Sequence, residues 1–155
     1  MTAGHVRERE AAPGVLIARG VCRALGARGF ACLTEFTTRE RLRMDVVALG
    51  PRGEIWCVEV KSSRADFRTD RKWQGYLDWC DALFFAVPES FPTEILPPEH
   101  GLILADGYDG EILRQARPAT LAPSRRKAMV LQIARLAAER LAAAGQPQVT
   151  RPIGM

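Results

Sequence analysis

The run Arg43-Met44-Asp45-Val46-Val47-Ala48-Leu49 is followed by Gly50-Pro51-Arg52-Gly53 and, after Glu54, by Ile55-Trp56-Cys57-Val58-Glu59-Val60-Lys61. Two apolar, β-branched segments around a Gly/Pro turn predict a β-hairpin. Gly53 can supply the left-handed residue of a three-residue loop, a register that sets Asp45 opposite Glu59. Side-chain alternation then puts Asp45, Val47, Leu49, Ile55, Cys57, Glu59 and Lys61 on one face. The other face carries Met44, Val46, Ala48, Trp56, Val58 and Val60. Both faces are largely apolar, so both need cover, as in an α/β domain.

Asp45, Glu59 and Lys61 thus sit at one end of an apolar layer. Unpartnered charges there cost on the order of several kcal/mol, so the three need partners or a task. Two facing carboxylates repel unless a cation lies between them, and Mg²⁺ typically takes one or two carboxylates with water in its remaining positions. A neighbouring Lys can hold a nucleophilic water or steady a phosphate oxygen. The competing structural reading pairs Lys61 with Glu59 and leaves Asp45 to cap a turn.

Upstream of the hairpin, Pro13 can open a helix whose Val15, Leu16, Val21, Cys22 and Leu25 recur at helical spacing until Gly26 and Gly29. Phe30 to Phe36 reads as the first strand. A polar linker follows, in which Arg39, Arg41 and Arg43, with Arg64 later, can meet phosphates or simply face solvent.

Downstream, Ser62 to Arg68 reads as a loop and Asp70 as the N-cap of a helix reaching Cys80, with Trp73, Leu77 and Cys80 on its inner face. Lys72 and Tyr76 share a side of that helix, where one can reach a phosphate and the other hydrogen-bond or stack. Capping is the expected role of Asp66 and Asp70, and core packing that of Trp73. Ala82-Leu83-Phe84-Phe85-Ala86-Val87 is a continuous apolar run, a buried strand parallel to its partner across the helical crossover. A Pro-rich loop leads to His100, expected at the surface, and to a short strand, Gly101 to Ala105. Pro123 and Ser124 begin a last helix with Met129, Ile133, Leu136 and Leu141 as its apolar stripe. Arg125, Arg126 and Lys127 crowd its first turn, where cations oppose the helix dipole unless an anion joins them.

A chain of 155 residues with 47% apolar content suits one compact domain, expected over residues 12–143 with flexible tails at 1–11 and 144–155. No apolar run suits a bilayer span and the N-terminus lacks a signal-peptide core, so a cytoplasmic protein without membrane contact is expected. Cys22, Cys32, Cys57 and Cys80 are too dispersed for a zinc motif and read as reduced thiols. Net charge is +4, unevenly spread: Phe84 to Leu113 holds six acids and no Lys or Arg, whereas Arg114 to Met155 holds eight basic residues against Glu139. That asymmetry suits a polyanion-facing side.

Asp45, with Glu59-Val60-Lys61 on the next strand, resembles the signature of the PD-(D/E)xK nuclease superfamily, with Met44 where the name has Pro. The longer run Val58 to Phe67, Asp70-Arg71-Lys72-Trp73, Tyr76, Cys80-Asp81, Gly101-Leu102-Ile103 and Arg125-Arg126-Lys127 resembles the MmcB-family DNA repair proteins of bacteria. The likeness spans Val15 to Leu141. It implies a restriction-endonuclease-like core, a mixed β-sheet flanked by helices in αβββαβ order. It further implies Mg²⁺ or Mn²⁺ held by Asp45, Glu59 and the Val60 carbonyl, with Lys61 orienting the attacking water. Many superfamily members add an acid on the first helix. Here Ala11 to Thr34 has none, and Glu10 and Glu35 are the nearest substitutes.

The expected function is therefore a DNA repair protein that hydrolyses DNA phosphodiesters with a divalent metal, alongside repair-protein partners and without a small-molecule cofactor. The alternative is a non-catalytic DNA-binding or adaptor module on the same fold. A small metabolic enzyme is the weakest reading, for no cofactor motif supports it.

Overall fold

The computed structural model describes residues 11–70 and 72–145. Helix α1 (Pro13–Gly26) leads into β1 (Ala31–Thr37), β2 (Arg43–Leu49) and β3 (Ile55–Val60), a short helix α2 (Arg64–Thr69) and a 3₁₀ segment (Trp73–Trp79). Then come β4 (Ala82–Val87), β5 (Gly101–Ala105), β6 (Gly110–Arg114) and the long helix α3 (Pro123–Gly145). The six strands form one mixed sheet in sequence order. β1, β2 and β3 are antiparallel neighbours, β3, β4 and β5 run parallel, and β6 returns antiparallel.

The central hairpin adopts the expected register. Leu49 pairs with Ile55 and Val46 with Val58, and Gly53 has φ +89° in a loop closed by its amide on the Gly50 carbonyl. A side chain at Gly53 would be strained at that φ, which is why the turn needs glycine. The chain then crosses over to β4, whose six residues are all buried in a parallel ladder with β3.

Each face of the sheet has its own core. α1 covers Val46, Ala48, Val58, Phe84 and Ile103 through Ile17, Val21 and Leu25. At Gly20 an added Cβ would lie 1.9 Å from the Asp106 carbonyl oxygen, so only glycine lets the helix approach the turn before β6 this closely. α3 and the crossover cover the opposite face, where Met129, Ile133, Trp73 and Tyr76 pack on Val47, Cys57 and Phe85. Leu141, expected in the apolar stripe of α3, is 75% exposed. Val15 and Leu16 at the start of α1 are also largely outside the core.

The crossover departs most from expectation. Residues 64–69 form a helix, with the Ser63 hydroxyl accepting the Asp66 amide as its N-cap, where a loop was expected. Residues 73–79 form a 3₁₀ segment rather than an α-helix. Three residues per turn align positions 73 and 76, so Tyr76 turns inward with Trp73 and Leu77 turns out. Met44, expected beside Val46, packs with Phe36 and Val47 instead. Strand β1 kinks at Glu35, whose φ is +51°, and alternation does not carry past that point. No described helix is long and apolar enough to cross a membrane. All four cysteines are free, Cys57 and Cys80 buried and Cys22 and Cys32 half-buried.

Candidate functional site

The β2–β3 ladder ends one pair short of Asp45 and Glu59. Alternation aims the Val60 amide at β2, yet it bonds no backbone carbonyl there; Asp45 Oδ2 accepts it at 2.8 Å. One carboxylate thus replaces a ladder bond where the two strands part. Glu59 stands next to it, close enough for the charge of Asp45 to disfavour its own.

Glu59 is 5% exposed, and its Oε2 receives no hydrogen bond from any donor. Burial, then the charge of Asp45, pushes its carboxyl up to about 9. Burial also raises Asp45, with the Val60 amide opposing. Lys61 is 2% exposed, with Nζ 2.5 Å from Asp70 Oδ2 and 3.4 Å from Glu59 Oε1. Burial disfavours its charge, but the Asp70 hydrogen bond and the Glu59 carboxylate outweigh it and hold the ammonium above the ordinary lysine range. Asp70 is itself anchored, its Oδ1 accepting the Lys72 amide at 2.7 Å. Despite its own desolvation, Asp70 is held below the usual carboxylate range by Lys61 and that amide.

These groups line a cleft of about 910 Å³ between the start of α1 and the α2–3₁₀ crossover. Arg19, Arg43 and Lys72 stand on its wall as exposed cations. Glu35 is also there but pairs with Arg43 at 3.0 Å. Glu10 lies outside the described residues. Arg39 and Arg41 are exposed but do not line the cleft; the Arg39 amide ties its loop to Gln132 of α3. Arg64 also lies off the cleft lining, 4.0 Å from Glu94. Tyr76, expected to face a ligand, is 4% exposed and donates its hydroxyl to the Arg43 carbonyl, pinning the start of β2.

The basic turn of α3 is elsewhere. Arg126 Nη1 bonds the Gly53 carbonyl at 2.8 Å, and its guanidinium grips both oxygens of Asp81 at 2.6 and 2.7 Å. Gly53 and Glu59 mark opposite ends of β3, about 13 Å of extended chain lying between Ile55 and Glu59 alone. Arg125, Arg126 and Lys127, expected as an anion site at the start of this helix, therefore lie at the other end of the sheet from the carboxylates. Arg126 is held inside the fold, Arg125 lies over the Trp79 ring near Asp78, and exposed Lys127 shares their end of the sheet. His100, expected at the surface, lies against the rings of Trp73 and Phe85, its imidazole held below the usual value by burial.

Sequence reasoning ranked capping above metal binding for Asp70 and overlooked Arg19. Asp70 ends α2 and accepts the Lys72 amide rather than capping the 3₁₀ segment, whose N-cap is Lys72; its pairing with Lys61 carried no local signal, because the two residues meet only after the crossover folds back.

The family described as DNA repair protein MmcB-like matches residues 2–148. The chain belongs to this family. Among solved structures, it is similar to one described as the SPO1766 protein of unknown function from Silicibacter pomeroyi. The identity is 51% over 94% of this chain and 100% of that one, with a TM-score of 0.87. No curated protein matches the chain. Membership of the MmcB-like family points to DNA repair.

Among the described residues, no group of three or more His, Cys, Asp or Glu side chains gathers as a cation cage. Two carboxylates do meet, one with a buried oxygen that no donor satisfies. Native proteins rarely leave a buried acceptor unpartnered, so this donor set fits one divalent cation completed by a backbone carbonyl and water.

Proposed function

We propose that the protein is a metal-dependent nuclease of DNA repair, built on the restriction-endonuclease-like plan of the PD-(D/E)xK superfamily. The observation that carries this reading is the unsatisfied Glu59 Oε2, buried beside Asp45 on the floor of an open cleft. Asp45, Glu59 and the Val60 carbonyl would hold Mg²⁺ or Mn²⁺. Such an ion supplies positive charge to a phosphoryl oxygen and acidifies a bound water.

The chain's own residues do the rest. An ammonium has three donors; Asp70 and Glu59 engage two on Lys61, leaving one for a water or phosphate oxygen. Arg19, Arg43 and Lys72 would neutralise flanking phosphates, positioning the backbone of a DNA strand without reading its bases. Hydrolysis would proceed by in-line attack of the oriented water on the phosphodiester.

The test is cleavage of a panel of labelled DNA forms with Mg²⁺ or Mn²⁺. Glu59→Ala and Lys61→Ala should each lower the rate by about 10²-fold or more, the scale of losing one group that stabilises developing charge. Metal-dependent cleavage that survives both substitutions would overturn the assignment of these residues.

A second reading, a DNA-binding or adaptor module without chemistry, draws on one observation. Lys61 already has two carboxylate partners and is almost sealed from solvent. On that reading the wild type and both variants bind DNA equally, with affinity falling as salt rises, and none cleaves.

A further inference from the structure

We infer that Asp70 is a positioning residue that draws the Lys61 ammonium away from Glu59 and so keeps Glu59 free to hold a divalent cation; this rests on the cation site proposed above. The two contacts of Nζ are unequal: 2.5 Å to Asp70 and 3.4 Å to Glu59. Without Asp70, the sole remaining carboxylate contact of the buried ammonium is Glu59. A closer Lys61–Glu59 pair would cancel the charge that a cation needs and repel the cation directly. Asp70 is built for the opposite outcome. Its Oδ1 is fixed by the Lys72 amide at the junction of α2 and the 3₁₀ segment, so its Oδ2 is supplied to Lys61 by the crossover.

Glu59 and Lys61 share a strand face two residues apart, so their side chains meet by default. A third group is needed to separate them. Asp70 comes from outside the sheet, and among the described residues no other acidic side chain is within 4.0 Å of Nζ. The crossover therefore does more than link β3 to β4: it supplies the counter-ion that decides which carboxylate the lysine neutralises.

The experiment is Mn²⁺ binding to the full chain, read by electron paramagnetic resonance, in a cycle of Asp70→Asn, Lys61→Met and the double variant. Circular dichroism confirms the fold, and the amide side chain of Asp70→Asn retains an oxygen for the Lys72 N–H. Asp70→Asn should weaken Mn²⁺ binding by about tenfold in the wild-type background and by less than about twofold in the Lys61→Met background. A similar loss in both backgrounds would be a plain charge effect and would overturn the inference, as would no loss in either. A wild type that binds Mn²⁺ and follows this cycle yet cleaves no DNA upholds the role of Asp70 while sinking the nuclease reading. A wild type that binds no Mn²⁺ sinks both.

Discussion

A half-buried carboxylate, Asp81, lies at the turn end of strand β3 and a buried one, Glu59, at the cleft end, and they are treated in opposite ways. At the turn end, Asp81 accepts the amides of Ile55 and Leu121 at 2.8 and 3.0 Å and both branches of the Arg126 guanidinium. Burial alone would raise it, but these partners outweigh that and hold it below the usual carboxylate range. At the cleft end, Glu59 has a lysine at 3.4 Å, a second carboxyl beside it and one oxygen without a donor, and it is pushed upward. The same sheet can satisfy a carboxylate when stability is the purpose. The unsatisfied oxygen of Glu59 is the feature on which the proposed cation site rests.

The largest expected effect breaks the satisfied end. Asp81→Ala strands two backbone amides and a part-buried guanidinium, and should cost about 3 kcal/mol in urea unfolding. Cleft function per folded molecule should be untouched, because this end lies away from the carboxylate pair. A loss below about 0.5 kcal/mol would mean that the Asp81 network is no more than surface pairing.

A smaller effect, and the sharper contrast, comes from pH. Below the ordinary glutamate value of 4.5, Glu59 is protonated in both folded and unfolded chains and favours neither. As pH rises towards 9, the unfolded chain releases that proton while the folded chain keeps it, so the metal-free protein loses stability across this window. Asp45 adds to the slope in the same direction. Thermal unfolding from pH 5 to 9 should show the decline, and Glu59→Gln should remove more than half of it. That variant should be about 1–2 kcal/mol more stable than wild type at pH 8. Saturating Mg²⁺ should flatten the wild-type slope, since a ligand bound only by the folded state stabilises it. A metal-free protein whose stability rises from pH 5 to 9 would contradict the account of Glu59.

How much of this contrast was legible in the sequence follows from the reach of each signal. The hairpin, its Gly53 turn and its register are local consequences of alternation and a left-handed residue, and they came out as expected. So did the parallel β4, because a helical crossover between adjacent strands admits little else. The misreadings occur where the deciding contact is distant. Arg126 grips Asp81 from 45 residues away, and without that partner its helix-start position resembled an anion site. Lys72 and Tyr76 do both line the cleft, but the 3₁₀ segment buries Tyr76, which an α-helical period could not foresee, and leaves Lys72 exposed. The end of the β2–β3 ladder before Asp45 also escaped alternation, which assigns faces but not the point where two strands cease to pair.

The smallest effects compare the exposed cations of the two ends. Lys72→Ala and Arg19→Ala, both on the cleft wall, should each weaken DNA binding a few-fold, and each should lower the slope of log affinity against log salt by about 1. Lys127→Ala removes an equally exposed charge at the opposite end of the sheet. If DNA enters over the carboxylates, that substitution should leave the slope unchanged, because a phosphate out of reach releases no counterion. A salt slope that falls with Lys127→Ala and holds with Lys72→Ala would place the DNA on the α3 side. The unsatisfied Glu59 would then lie beyond the reach of the phosphodiester it is proposed to hydrolyse.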